Sequence, residues 1–282
     1  QYLFPFEKER IGSPAGIVIY SSLWLRISAP FVDGKEIFAL QDFLDRHPNT
    51  ALCLMIWIDR TQMEPVCAGQ FDDNLHKLAE FLKTVNRPTY LAIGVEVNSP
   101  FYRIEPKPYV KAYRHIVDKL HESGVRNAAY VWSVIALQPS YLNRDPLAWY
   151  PGDRYVNWIS TSIYKLRKEH IVEDSYFEYA AYERILEIAR EKHLPIMIAE
   201  SSSKSVRKNF GYTGEKLWRF WYEPFFDFVE DNPEVKAICH IHNEPLDNVV
   251  VEKWYEKVRD ARYLKGSQGL FEMLGFTPAG SQ

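Results

Sequence analysis

From residue 51 onward, short apolar runs rich in β-branched and aromatic residues alternate with longer amphipathic stretches, the rhythm of strand–helix units on a parallel sheet. The apolar runs predict strands over Ala51–Ile58, Thr89–Val95, Ala128–Trp132, Val156–Ile163, Pro195–Ala199 and Val235–Ile241. Between and after them, spacing near 3.6 residues predicts helices over Asp73–Thr84, Pro108–Ser123, Tyr176–Lys192, Glu215–Glu230 and Val250–Leu264. Pro108 suits a first helical turn, and Gly124 suits the position just past a helix end.

The first fifty residues are less legible. Gly16–Ser21 reads as a strand, Leu25–Ser28 as a continuation of it, and Lys35–Arg46 as a helix stopped before His47 and Pro48. Counting back from Val235–Ile241 as an eighth strand makes Gly16–Ser21 the second. The first must then come from residues 1–12, with almost no helix after it. The expected fold is therefore an α/β (β/α)8 TIM barrel with an irregular opening unit.

No linker-like tract, charge block or internal repeat divides the chain, so residues 1–282 are expected to form a single catalytic domain, with 278–282 as a loose tail. A length of 282 residues suits one such barrel.

Composition narrows the function. With 34 basic and 37 acidic residues the formal charge is −3, which calls for neither nucleic acid nor an anionic membrane as partner. No run approaches the roughly 20 apolar residues of a membrane span, and no apolar leader opens the chain at Gln1. A secreted or cell-envelope protein would thus have lost its signal before this point. Cys53, Cys67 and Cys239 are too few and too scattered for a disulfide framework or a CxxC metal site. The aromatic share of 15% exceeds what a core needs, and flat apolar faces suit stacking on sugar rings.

In a parallel barrel, chemistry gathers at the C-terminal ends of the strands. Two predicted strands run into an acidic residue there: Tyr90–Val95 into Glu96, and Pro195–Ala199 into Glu200. A carboxylate among apolar neighbours has its pKa raised by desolvation, as an acid catalyst requires. Two of them at matching strand ends suggest the carboxyl pair of a glycosidase. His240 and His242 form an HxH at the last strand end; no other strand end offers a His, so no metal is expected, and one of the pair is expected to donate a hydrogen bond to a sugar. Trp132 and Trp57, also at strand ends, are candidate stacking platforms, and Arg60, Arg103 and Lys165 lie just beyond strand ends.

Around the carboxyl pair the sequence resembles glycoside hydrolase family 26, the mannanase and xylanase family of the large retaining barrel clan. Four blocks carry the resemblance: Arg87–Asn98 with its Glu-x-Asn, Tyr109–Val117 followed by Asn127–Trp132, Trp149–Ile159 leading to Tyr164, and Leu194–Glu200 followed by Val235–Ile238. The resemblance implies that Glu96 is the acid/base, Glu200 the nucleophile, and Tyr164 a hydrogen-bond partner that orients Glu200. Asn98 falls in the substrate-binding part of the same pattern. It implies a retaining hydrolase of a β-linked polysaccharide, endo-acting, needing no cofactor, with a polysaccharide or oligosaccharide as its partner.

Two positions depart from the pattern. Val95 stands where the family usually carries a His, and Ile238–Asn243 contains no counterpart of its eighth-strand Trp. A diverged subfamily follows or, as the alternative, a retired barrel that binds carbohydrate without cleaving it.

Overall fold

A computed structural model describes residues 15–23, 44, 45, 48, 50–85, 87–136, 144–164, 179–241 and 248–258. The described residues within Ser13–Ser133 and Pro146–Trp158 form one compact unit, and those within Val134–Asp145 and Ile159–Tyr263 another.

The first unit holds four parallel strands in chain order: β1 (Gly16–Ser22), β2 (Ala51–Trp57), β3 (Thr89–Ile93) and β4 (Ala128–Ser133). Six of the seven residues of β2 and all five of β3 are buried, the continuous apolar reading expected of strands covered on both faces. Helix α1 (Met63–Cys67) and helix α2 (Asp72–Val85) follow β2, and helix α3 (Pro106–Glu122) follows β3. Leu75, Leu78, Ala79 and Leu82 line the inner face of α2, while Tyr109, Ala112, Tyr113, Ile116 and Leu120 line that of α3. Pro106 falls in the first turn of α3, and beyond its end Gly124 takes φ +82°, where a side chain is disfavoured. Side-chain ties fix the spacing of these layers. Asn127 Nδ2 donates to the carbonyls of Leu82 and Arg87, and the Arg87 guanidinium donates to those of Thr50 and Leu44.

The second unit holds β5 (Trp158–Ile163) from Ile159 onward, β6 (Ile196–Ser201) and β7 (Val235–Ile238), again parallel and in chain order. Helix α4 (Tyr179–Lys192) precedes β6; α5 (Lys204–Phe210) and α6 (Gly214–Leu217) follow it. The chain then makes a π-helical turn over Trp218–Tyr222 and continues as α7 (Glu223–Asp231). Helix α8 (Asn248–Val258) follows β7.

The alternation of parallel strands and covering helices fits a (β/α)8 barrel. The first strand expected within residues 1–12 lies outside the described residues, as does most of the helix expected over Lys35–Arg46, of which Leu44 and Asp45 are helical. Several elements depart from expectation: β5 begins at Trp158, two residues late, and β7 stops at Ile238, three residues early. The single helix anticipated over Glu215–Glu230 is interrupted by the π turn, and β3 stops at Ile93, two residues early. That early stop has a cause in the next residue: Gly94 takes φ +82° and turns the chain out of the sheet.

Candidate active site

Glu96 stands on the turn that follows β3. Its own φ is +47°, a left-handed conformation rare for a residue with a Cβ and found where the surroundings over-determine the backbone. Those surroundings are identifiable. The Glu96 N–H donates to Ser133 Oγ at 3.2 Å, the Val97 N–H donates to the Ser133 carbonyl at 3.1 Å, and the Ser99 N–H closes the turn on the Glu96 carbonyl at 2.8 Å. Below the turn, Tyr109 Oη reaches out of α3 to donate to the Ile93 carbonyl at 2.7 Å. The carboxylate is thereby carried, half-buried, on a backbone pinned by β4 from the side and α3 from beneath. Asn98 lies in the same turn and is buried, as is Val95.

Glu200 occupies the penultimate position of β6, also half-buried. Here the sheet is irregular: the register between β5 and β6 shifts at Thr161 and Ser162, which brings Ser162 opposite Glu200. Tyr164 Oη donates a hydrogen bond to Glu200 Oε2, and the Tyr164 carbonyl in turn accepts from Trp221 Nε1 at 2.9 Å. On the other side, Ser201 Oγ donates to the Cys239 carbonyl at 2.8 Å and lies 3.1 Å from His240 Nδ1. Cys239 is half-buried, and desolvation, then the Glu200 charge, push its thiol pKa up to about 12, so it stays protonated.

The remaining anticipated residues divide. Trp57, at the end of β2, keeps 36% of its surface exposed and sets its indole edge-to-face against Tyr102, at 4.7 Å between ring centres; it presents an open aromatic face. Trp132 does not. Alternation along β4 sends it to the same side as Tyr130, whose ring meets His121 of α3, and Trp132 itself packs against Tyr150 with no exposed surface. Its neighbour Ser133 is the residue that turns toward Glu96, so the expectation of a stacking platform at Trp132 is corrected to a packing role.

His240 is corrected too. With Nδ1 against Ser201 Oγ and Nε2 3.1 Å from Tyr222 Oη, both ring nitrogens are engaged within the protein, which leaves none to donate to a sugar. His242 and Lys165 lie outside the described residues. Arg103 sits at φ +51° on the loop after the Glu96 turn. Among the described residues no group of three His, Cys, Asp or Glu side chains is arranged to hold a metal ion.

Sequence reasoning missed Ser133, Ser201, Trp221 and Tyr222. The two serines carry no mark beyond being small and polar at a strand end. The aromatic pair was lost because adjacent inward-facing residues fit no simple helical period.

The family model described as glycosyl hydrolase family 26 matches residues 100–253, more than half of the chain. A β-1,3-xylanase of a Vibrio species is 23% identical over 94% of this chain, and one of an Alcaligenes species 22% identical over 83%. The chain spans 64% and 56% of the length of these two relatives. Among solved structures, the catalytic domain of a family-26 endo-β-1,4-mannanase from Bacillus sp. JAMB-750 superimposes with a TM-score of 0.67 at 16% identity, covering 92% of this chain and 80% of the other. A family-26 β-mannanase from Bacteroides ovatus superimposes with a TM-score of 0.60 at 14% identity, covering 92% and 83%. These structures share the fold.

Proposed function

Because the chain belongs to glycosyl hydrolase family 26, we propose that it is a retaining glycoside hydrolase that cuts within a β-linked polysaccharide, with Glu200 as nucleophile and Glu96 as acid/base. The observation that carries this reading is the treatment of Glu200: a strand-end carboxylate with one oxygen held by a tyrosine hydroxyl, so that the other is aimed rather than free to rotate. A carboxylate serving only as a helix cap or an ion-pair partner needs no such device. Glu96, on its strained turn, receives comparable care in the other unit.

In the proposed reaction, ionised Glu200 attacks the anomeric carbon while protonated Glu96 gives its proton to the departing glycosidic oxygen. The glycosyl–enzyme ester is then opened by a water that Glu96, now ionised, deprotonates. Two displacements restore the starting configuration. On this reading Trp57 offers a platform for a sugar ring, and Asn98, buried two residues after the acid/base, is proposed to hydrogen-bond a sugar hydroxyl.

β-1,3-xylan is the first substrate to test, since both β-1,3-xylanases align with more than four-fifths of this chain, whereas the mannanase likeness rests on fold. On this reading residues 1–282 are a single (β/α)8 catalytic domain. It acts outside the cell or in its envelope, where a polymer too large for uptake is met.

Glu200→Ala and Glu96→Ala are each expected to reduce hydrolysis of β-1,3-xylan to background. With an activated aryl glycoside, azide should rescue Glu200→Ala and yield a glycosyl azide of inverted configuration. Full activity in either variant removes the assignment. The second reading, a barrel that binds without cleaving, is motivated by Val95 and by the closed-off His240. Binding of xylan with no product at high enzyme concentration would favour it.

A further inference from the structure

We infer that the π-helical turn Trp218–Tyr222 is a positioning device for Glu200, acting through two hydrogen-bonded arms, with Trp221, Tyr222, His240 and Ser201 as positioning residues. The inference rests on the reading of Glu200 as nucleophile. A π turn carries one residue more than an α-helical turn and breaks the helical phase, which is why such turns gather at functional sites. Here the break leaves two consecutive large side chains, Trp221 and Tyr222, both without exposed surface. Each begins one arm.

The first arm is short. Trp221 Nε1 donates to the Tyr164 carbonyl at 2.9 Å, and the hydroxyl of the same tyrosine donates to Glu200 Oε2. Tyr164 follows β5 at a bend, outside any strand or helix, so its backbone is held by the indole rather than by a sheet ladder. Trp221 is itself fixed by stacking on Phe225, with ring centres 5.2 Å apart and planes 12° from parallel.

The second arm reaches the residue next to Glu200, and its hydrogens can be assigned in order. Ser201 has one hydroxyl hydrogen, and the Cys239 carbonyl, which can only accept, claims it at 2.8 Å. His240 Nδ1, 3.1 Å from the same oxygen, must therefore carry the hydrogen and donate it to Ser201. In the neutral imidazole, Nε2 is then an acceptor, so Tyr222 Oη donates to it at 3.1 Å. The tyrosine oxygen is left to accept from Ser203 Oγ, also at 3.1 Å. The chain thus runs one way from Ser203 through Tyr222 to His240, and from His240 through Ser201 to the backbone of Cys239. Trp254, 4.8 Å from the His240 ring centre, walls the imidazole and holds its plane. Ser201 and Ser203 bracket the end of β6, so this arm fixes the backbone that carries Glu200, while the first arm fixes its carboxylate.

The test is a double-mutant cycle. Trp221→Phe keeps a ring against Phe225 but removes the first arm's donor. Tyr222→Phe and Ser201→Ala interrupt the second arm at different links. Each single variant is expected to lower kcat on β-1,3-xylan about tenfold, the equivalent of one neutral hydrogen bond's worth of alignment, with KM unchanged and the thermal midpoint little altered. Tyr222→Phe with Ser201→Ala should be no worse than either alone, because both break one chain. Trp221→Phe with Ser201→Ala, one from each arm, should multiply to about a hundredfold.

Wild-type kcat in the folded single variants overturns the inference, as does a loss of kcat that merely follows loss of folded protein. So does a multiplicative Tyr222–Ser201 pair. If Trp221→Phe does not fold, the Tyr222–Ser201 cycle decides alone. Failure of the underlying reading looks different: Glu200→Ala would then retain activity or resist azide rescue, whatever the positioning variants do.

Discussion

Gly94 and Gly124 offer a controlled comparison, because both hold φ +82° and differ in what surrounds them. A Cβ on Gly124 meets nothing within 4 Å, so Gly124→Ala carries only the backbone penalty of a left-handed L-residue, about 1 kcal/mol. A Cβ on Gly94 would lie 2.5 Å from Val97 Cγ1 and 3.1 Å from Tyr109 Cε2. Both neighbours are fully buried, and Tyr109 is pinned by its hydrogen bond to the Ile93 carbonyl, so neither can retreat cheaply. Overpacking of this kind adds about 1–3 kcal/mol to the same backbone term, for a total of about 2–4 kcal/mol in Gly94→Ala. Urea unfolding followed by tryptophan fluorescence should place the midpoint of Gly124→Ala slightly below wild type and that of Gly94→Ala well below both, with similar m-values. In a thermal melt the gap between the two variants should be about 2–10 °C. Equal destabilisation by the two substitutions would refute the claim that the turn before Glu96 is sterically closed.

Two further outcomes follow from titratable groups. Burial would raise the Asp72 carboxyl, but His115 and Lys119, whose nitrogens lie 2.9 and 3.2 Å away, outweigh it and hold the group below its ordinary range. A carboxyl depressed in the folded state contributes stability that is present above its unfolded pKa and lost as pH falls through the folded value. Asp72→Asn should therefore be less stable than wild type at neutral pH, and the difference should vanish in acid; a gap that persists unchanged to pH 2 would contradict the pairing. The three cysteines are free thiols, with Cys53 buried and the half-buried Cys239 pushed up to about 12 by desolvation, then by Glu200. Ellman's reagent at pH 8 should leave both unreacted in the native protein and count three thiols in denaturant without reductant. Fast native labelling of all three, or fewer than three after unfolding, would be inconsistent with this placement.

What the sequence disclosed follows from which physical signals are local. Strands such as β2 and β3 were legible because burial on both faces leaves an unbroken apolar run, and α3 because proline and glycine mark its ends. Glu96 and Glu200 stood out as acids after such runs. Trp132 was misjudged because a strand-end aromatic can face either side, and only the parity shared with Tyr130 tells which. His240 looked available because its partners, Ser201 and Tyr222, are 39 and 18 positions away. The π turn left no trace in a window that otherwise reads as one amphipathic helix, since a single extra residue shifts the phase without changing the composition. The short helices Met63–Cys67 and Lys204–Phe210 were too brief to display a period.

The bond from Tyr109 to the last carbonyl of β3 makes α3 the benchmark from which the height of Glu96 is levelled. Sliding the helix by one residue would strand that carbonyl and pull a buried ring from its seat, so the elevation of the acid is surveyed by the helix, not by the loop between them. Residues 100–105 are therefore relieved of that duty. Ile104 and Glu105 keep other duties, since the Ile104 carbonyl accepts from Trp149 Nε1 and the Glu105 carbonyl from the first turn of α3, so change that leaves Glu96 at its height is expected at the exposed Phe101.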